Sequence, residues 1–321
     1  MQTNAIRTEA LSKRYGTVKA LDDLNIEVSP GEVVGYLGPN GAGKTTTIRL
    51  LLGLVRPTAG RAEIFGLDCQ HQSVQAHRRR AYVPGEANLW PSLTGAETLT
   101  LLGRVHGQVD DTYRDELVSR FALDPSRKVR TYSKGNRQKV ILIAALMTRP
   151  DLLLLDEPTS GLDPLMEQSF RLCIREAKDQ GQTVFLSSHS LSQVEALCDR
   201  VAILRNGKLV EMGTLDEMRH LSARSVEATF EGPVPDLANV PGVTAVDADG
   251  QVVRFQVRGS MAPLLGAFAS ATITGLLSRE PSLEELFLSL YGDNGDRAAS
   301  GTLRGDGRPI GDKADEADDA N

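Results

Sequence analysis

Gly38-Pro39-Asn40-Gly41-Ala42-Gly43-Lys44-Thr45-Thr46 follows the unbroken apolar run Val33 to Leu37 and opens into Ile48, Leu50, Leu51 and Leu54 at helical spacing. The string has the form G-x-x-x-x-G-K-T, and strand, loop, then helix is the context in which that form holds phosphate. A polyphosphate is a dense anion. Backbone N–H groups at a helix N-terminus offer it unpaired donors and the positive end of the helix dipole. Gly41 and Gly43 let the main chain approach closely, where any side chain would push the phosphates away. Lys44 then reaches the outer phosphate oxygens, and the Thr45 hydroxyl is a hard ligand suited to Mg²⁺.

Outward from this loop the chain alternates. Residues 5–37 read as strands, with the turn signal Ser29-Pro30-Gly31 before the buried strand Val33 to Leu37. A short strand, Ala62 to Phe65, follows the loop containing Pro57 and Gly60, and a second ends at Tyr82-Val83-Pro84-Gly85-Glu86. Thr94 with Glu97 forms a capping box at the start of a helix, and a further helix is expected over Asp111 to Phe121. Next come Tyr132-Ser133-Lys134-Gly135-Asn136, a long helix over Arg137 to Met147, and the apolar strand Leu152 to Leu155 ending in Asp156-Glu157. Asp163-Pro164 supplies an N-cap and a proline at the first helical position. The strand Thr183 to Leu186 ends at Ser187-Ser188-His189, and Asn206-Gly207 joins two strands as a type I′ hairpin.

Strands alternating with helices predict a parallel sheet covered on both faces, with ligands beyond the carboxyl ends of its strands. Four polar features fall at such ends: the phosphate loop, Glu86, Asp156-Glu157 and His189. Their convergence on one sheet edge carries more weight than any one of them. Alone, His189 would read as a satisfied polar group, and Tyr15 beside Gly16 as ordinary packing rather than a surface for a flat base.

The ordered set GPNGAGKTT, YSKGN, LLLLDEPTSGLD and His189 resembles the ATPase subunit of an ATP-binding cassette (ABC) transporter over about residues 3–220. The resemblance implies a P-loop NTPase cassette of the α/β class: a parallel sheet core, an antiparallel β subdomain, and a helical lobe at about 86–148. It implies ATP and Mg²⁺ as cofactors. Gly38, Pro39, Asn40, Gly41, Ala42, Gly43, Lys44, Thr45 and Thr46 would hold the phosphates, Thr45 and Asp156 the metal, and Tyr15 the adenine. Glu157 would be the general base, with His189 and Lys44 at the terminal phosphate. Ser133, Gly135 and Asp163 would serve the nucleotide of a second cassette across a head-to-tail dimer, homo- or heteromeric. A separate membrane permease would dock near Trp90 to Gly103. Two residues depart from the family pattern. Lys134 replaces a signature glycine and is expected to add a cation near the terminal phosphate. Gly85 stands where a glutamine is usual, and Glu86 or a water is expected to take over its task.

Beyond Leu221 the strand-like stretches Ser225 to Phe230, Val252 to Val257 and Thr272 to Leu277, with a helix over Met261 to Ala269, predict a small α+β domain over 224–291. Ser282 with Glu285 reads as a second capping box ahead of Leu286, Phe287 and Leu290. This module resembles the accessory C-terminal domain of bacterial drug- and antibiotic-exporter ATPases. Residues 292–321 read as a disordered acidic tail that carries −4 of the net charge of −6. The rest of the chain is close to neutral, so no nucleic-acid partner is expected. With Cys69, Cys173 and Cys198 the only cysteines, no disulfide framework or metal spacing is expected. No secretory leader and no apolar run near the ~18 residues of a membrane span is evident. The expected location is peripheral, on the cytoplasmic face of the membrane. Arg78-Arg79-Arg80 is expected to be a solvated helix end. The reading is an ATPase driving an exporter of drug- or antibiotic-type cargo. The alternatives are a soluble ribosome- or DNA-associated regulatory ATPase and an importer ATPase.

Overall fold

The computed structural model describes residues 3–107, 109–220, 223–269, 271–279 and 284–285, and the chain divides into two compact units, Met1–Leu221 and Ser222–Asn321. The first unit opens with β1 (Ile6–Tyr15), β2 (Val18–Val28), β3 (Val33–Leu37), α1 (Lys44–Leu51), β4 (Ala59–Ile64), β5 (Leu67–Asp68), α2 (Ser73–His77) and β6 (Arg80–Val83). Helices α3 (Gly95–His106), α4 (Asp111–Arg120) and α5 (Lys134–Leu146) follow, the last leading into β7 (Leu152–Asp156) and α6 (Pro164–Asp179). The unit finishes with β8 (Thr183–Ser188), α7 (Leu191–Leu197), β9 (Arg200–Arg205), β10 (Lys208–Thr214) and α8 (Leu215–His220).

The core sheet has the order β10-β9-β3-β8-β7-β6, parallel throughout except for β10. Its central strands β3, β7 and β8 are buried at every position, as continuous apolar runs require. Tyr36 on β3 meets Phe185 on β8 with ring centroids 4.9 Å apart. An antiparallel sheet, β2-β1-β4-β5, packs its apolar side chains into the same core. Helix α6 buries Phe170, Cys173, Ile174 and Ala177, the i, i+3, i+4, i+7 stripe visible in its sequence. Both halves of the Thr94–Glu97 capping box form, and Asp163 caps α6 with Pro164 in the first turn. Asn206 and Gly207 both lie at positive φ, 49° and 77°, as a type I′ turn demands.

Three features differ from the sequence expectation. Helix α5 begins three residues earlier than Arg137, because the Ser133 hydroxyl accepts from the Asn136 amide and draws the signature segment into the first turn. The short helices α2, α7 and α8 had no readable period. Only Arg78 of the Arg78-Arg79-Arg80 run is a solvated helix end. Arg78 closes α2, Arg79 stacks on Phe65 and bonds Asp151 at 2.6 Å, and Arg80 is buried at the start of β6. The Arg80 guanidinium donates to the Leu51 carbonyl and, at 2.7 Å, to that of Leu52, covering the carboxyl end of α1. This is where a helix leaves carbonyls without partners and where its dipole favours a cation.

The second unit holds β11 (Arg224–Glu231), β12 (Val243–Asp249), β13 (Val252–Val257), α9 (Ala262–Phe268) and β14 (Thr272–Arg279), its strands in the antiparallel order β12-β13-β11-β14. Val226, Phe230, Phe255 and Val257 face Leu264 and Phe268 of α9, with Phe230 and Phe268 edge to face at 5.6 Å. Of the expected second capping box, Glu284 and Glu285 are helical, while Ser282, Leu286, Phe287 and Leu290 lie outside the described residues, as does the 292–321 tail. Cys69, Cys173 and Cys198 are free thiols, all buried.

Arg80→Met should strip the Leu51 carbonyl of its donor and cost about 2–3 kcal/mol of stability, seen as a lower urea midpoint. Arg78→Met, on the exposed neighbour, should move stability by less than about 0.5 kcal/mol.

Candidate functional site

The loop after β3 is shaped by what its glycines touch. Gly41 and Gly43 have φ of 82° and 113°, the left-handed region that side chains rarely adopt. A Cβ on Gly43 would lie 2.7 Å from the Ala20 carbonyl oxygen, and one on Gly38 would lie 2.5 Å from that of Leu204. The loop is thus seated against β2 and β9 by main-chain contact. Lys44, 6% exposed, folds its ammonium back onto the carbonyls of Gly38 (2.6 Å) and Pro39 (3.2 Å). Burial pushes this lysine below its ordinary range, and the carboxylates of Glu157 and Asp156 act in the opposite sense. Beside it lies a cavity of about 160 Å³ lined by Asn40, Gly41, Gly43, Thr45, Thr46 and Glu157, among others. A helix N-terminus, glycines that admit close approach and a lysine able to exchange carbonyls for phosphate oxygens fit a nucleotide polyphosphate.

The acidic pair sits across the sheet edge. Asp156, 5% exposed at the end of β7, accepts from the Ser187 hydroxyl at 2.6 Å. Glu157 adopts φ 48°, a strained conformation for a residue with a side chain. Its amide donates to the Ser187 carbonyl at 3.1 Å and lies 3.2 Å from the Ser187 hydroxyl oxygen. Its carboxylate Oε2 stands 3.5 Å from His189 Nδ1, and that imidazole is 70% exposed. A second chamber, about 500 Å³, is lined by Thr45, Gly85, Glu86, Lys134, Asp156 and Glu157, among others. A threonine and a carboxylate lining one chamber supply hard oxygen donors of the kind Mg²⁺ takes when phosphates and water complete its shell. A Cβ on Gly85 would lie 3.3 Å from the Asp156 carbonyl oxygen, so residue 85 points at the acidic pair with nothing but a hydrogen. Ser187 was not singled out from the sequence; its placement in the Ser-Ser-His run was the only signal.

Ser133, Gly135, Asp163 and Tyr15 line neither cavity. Ser133 caps α5. A Cβ on Gly135 would lie 2.4 Å from the Gly161 carbonyl oxygen, so the signature turn and the turn after β7 touch main chain to main chain. The Lys134 ammonium donates to the Ser160 hydroxyl of its own chain at 3.0 Å. Asp163 accepts from the Leu165 and Met166 amides, each at 3.1 Å. Tyr15, 44% exposed, pairs with Val18 across the first hairpin, with the Lys13 ammonium 4.9 Å from its ring centroid.

Residues 21–160 match the ABC transporter family. Daunorubicin resistance ATP-binding protein DrrA3 of Streptomyces coeruleorubidus is 37% identical over 310 residues, spanning 92% of this chain and 98% of that protein. Bacitracin transport ATP-binding protein BcrA of Bacillus licheniformis is 39% identical over 225 residues, 69% of this chain and 74% of that one. Among solved structures, the ATP binding subunit of an ABC transporter superposes with a TM-score of 0.64 at 34% identity, covering 67% of this chain and 92% of that one. Among the described residues no helix is long and apolar enough to cross a membrane. With the phosphate loop, the acidic pair and the histidine at one sheet edge, this chain belongs to the ABC transporter family, as a cassette that binds and hydrolyses ATP.

Proposed function

We propose that this chain powers a bacterial exporter of drug- or antibiotic-type cargo, bound peripherally at the cytoplasmic face beneath separate permease subunits. The names of its relatives, daunorubicin resistance and bacitracin transport proteins, support the cargo class. The observation that carries the ATPase reading is the placement of Glu157, which lines the same cavity as Lys44 and Thr45 and stands 3.5 Å from His189.

In this reading Lys44 and the amides at the start of α1 hold the phosphates, and Tyr15 stacks on adenine. Thr45 and Asp156 would hold Mg²⁺, which would offset charge building on the phosphate oxygens. Glu157 takes the proton of the attacking water while His189 bonds the terminal phosphoryl oxygen. Bond formation from water to phosphorus then accompanies release of ADP. The strained turn at Glu157, held by Ser187, keeps the carboxylate aimed without reorganisation. Glu86, on the wall of the same chamber, is assigned the task that a longer side chain at position 85 would perform.

Ser133, Gly135 and Asp163 serve a nucleotide bound by a second cassette, a reading supported by their lining neither the phosphate-loop cavity nor the acidic chamber of their own chain. ATP closes the pair and hydrolysis reopens it. The permease meets the cassette at an apolar groove of about 260 Å³ between Leu89, Trp90, Leu102, Val105, Ile141 and Ala144. Trp90, 50% exposed, is a large anchor of the kind interfaces favour.

Glu157→Gln should lower the hydrolysis rate by about 100-fold or more while ATP still binds, so that an ATP-dependent dimer accumulates in size-exclusion runs. A variant that turns over at the wild-type rate rejects the assignment of the base. Ser133→Arg should leave nucleotide binding to the isolated subunit unchanged and abolish hydrolysis, measured by phosphate release against fluorescent-ATP titration. Trp90→Ala should reduce co-purification with the membrane fraction while the basal hydrolysis rate stays within about twofold, a loss consistent with the 1 kcal/mol or more typical of an interface anchor.

A further inference from the structure

Gln138 lies in the second turn of α5 and is 1% exposed. Its Nε2 donates to the Pro158 carbonyl at 3.0 Å and reaches that of Pro84 at 3.3 Å. Both neighbours are acceptors, so the amide must turn its NH₂ toward them. Pro84 is the first residue after β6, and Pro158 the second after β7; these strands are parallel neighbours, with Val83 opposite Leu155. One buried amide therefore bonds the main chain of both loops that wall the acidic chamber. Its Oε1 is buried with no partner. An unpaired buried acceptor costs stability, so a residue chosen for packing alone would not be an amide here.

We propose that Gln138 is a positioning residue for ATP hydrolysis: it ties the loop bearing Gly85 and Glu86 to the turn bearing Glu157, and couples both to the signature helix. The inference rests on Glu157 being the base. The carbonyl that Gln138 holds belongs to the residue directly after Glu157, whose φ of 48° needs outside support to persist. At the other end, α5 is fixed by Ser133 and by the Gly135–Gly161 approach, the segment assigned to the second cassette. Residue 85 has no side chain with which to bridge these loops. The Pro84 carbonyl is the handle that remains, and Gln138 grips it. Closure of a second cassette on the start of α5 is then felt at the Glu157 carboxylate through one side chain.

The experiment uses the full chain. Gln138→Met keeps the length, removes the donor and removes the orphan acceptor. It should lower kcat at least tenfold, leave the affinity for a fluorescent ATP analogue within twofold, and leave the urea midpoint no lower than wild type. Gln138→Glu, which sets carboxylate oxygens against both carbonyls, should lose at least as much kcat. Should Gln138→Met fail to fold, Gln138→Asn decides, with the same tenfold loss in kcat at unchanged affinity expected. A folded variant hydrolysing within twofold of wild type overturns the proposal. So does a loss of kcat matched by equal losses in affinity or stability, since that is a packing role. Glu157→Gln measured alongside separates the two ideas. If it is inactive while Gln138→Met is normal, only the positioning role falls; if it is active, the base assignment falls and the inference with it.

Discussion

Much of this cassette hangs on the pairing of Asp156 with Ser187 in the parallel register of β7 and β8. That pairing lets one buried hydroxyl donate to the Asp156 carboxylate while the amide of Glu157 approaches the same oxygen and bonds the carbonyl beside it. Side chains alternate along a strand, so a slip of one residue would turn Ser187 away and leave a carboxylate buried without a donor. The apolar residues of β7 and β8 hold that register because both faces of the sheet are covered. The chemistry at the strand ends is therefore set by packing several residues back along the strands.

Close main-chain contact is the second organising constraint. Gly38 and Gly43 seat the phosphate loop against Leu204 and Ala20, and Gly135 admits the Gly161 carbonyl. These glycines serve less as hinges than as places where two backbones meet with no room for a methyl group. The phosphate loop is fixed to β2 and β9, and the signature turn is fixed to the turn that leaves β7. Lys134 joins the same contact through the Ser160 hydroxyl while lining the chamber that holds Thr45 and Glu157.

Much of the architecture was legible because local signals agreed with the global fold. The P-loop string, the Thr94–Glu97 capping box, Asp163-Pro164 and Asn206-Gly207 each dictate backbone geometry over a few residues, and each appears where the string predicts. What was illegible depends on partners distant in sequence. Three adjacent arginines look like a solvated charge run until the carbonyl end of α1 arrives beside Arg80. Ser187 and Gln138 are unremarkable letters whose meaning comes from β7 and from two proline carbonyls. Helices such as α2 and α8, five and six residues long, are too short to display a period.

The three buried thiols have a practical consequence. Burial pushes Cys69 up to about 12 and raises Cys173 and Cys198 as well, so each is held as the unreactive protonated form at neutral pH. Alkylating reagents and mild oxidants act on thiolates, the form that burial disfavours at all three sites. A single cysteine introduced on the surface would then be the more reactive thiol while the cassette stays folded, a place for a spin label or fluorophore.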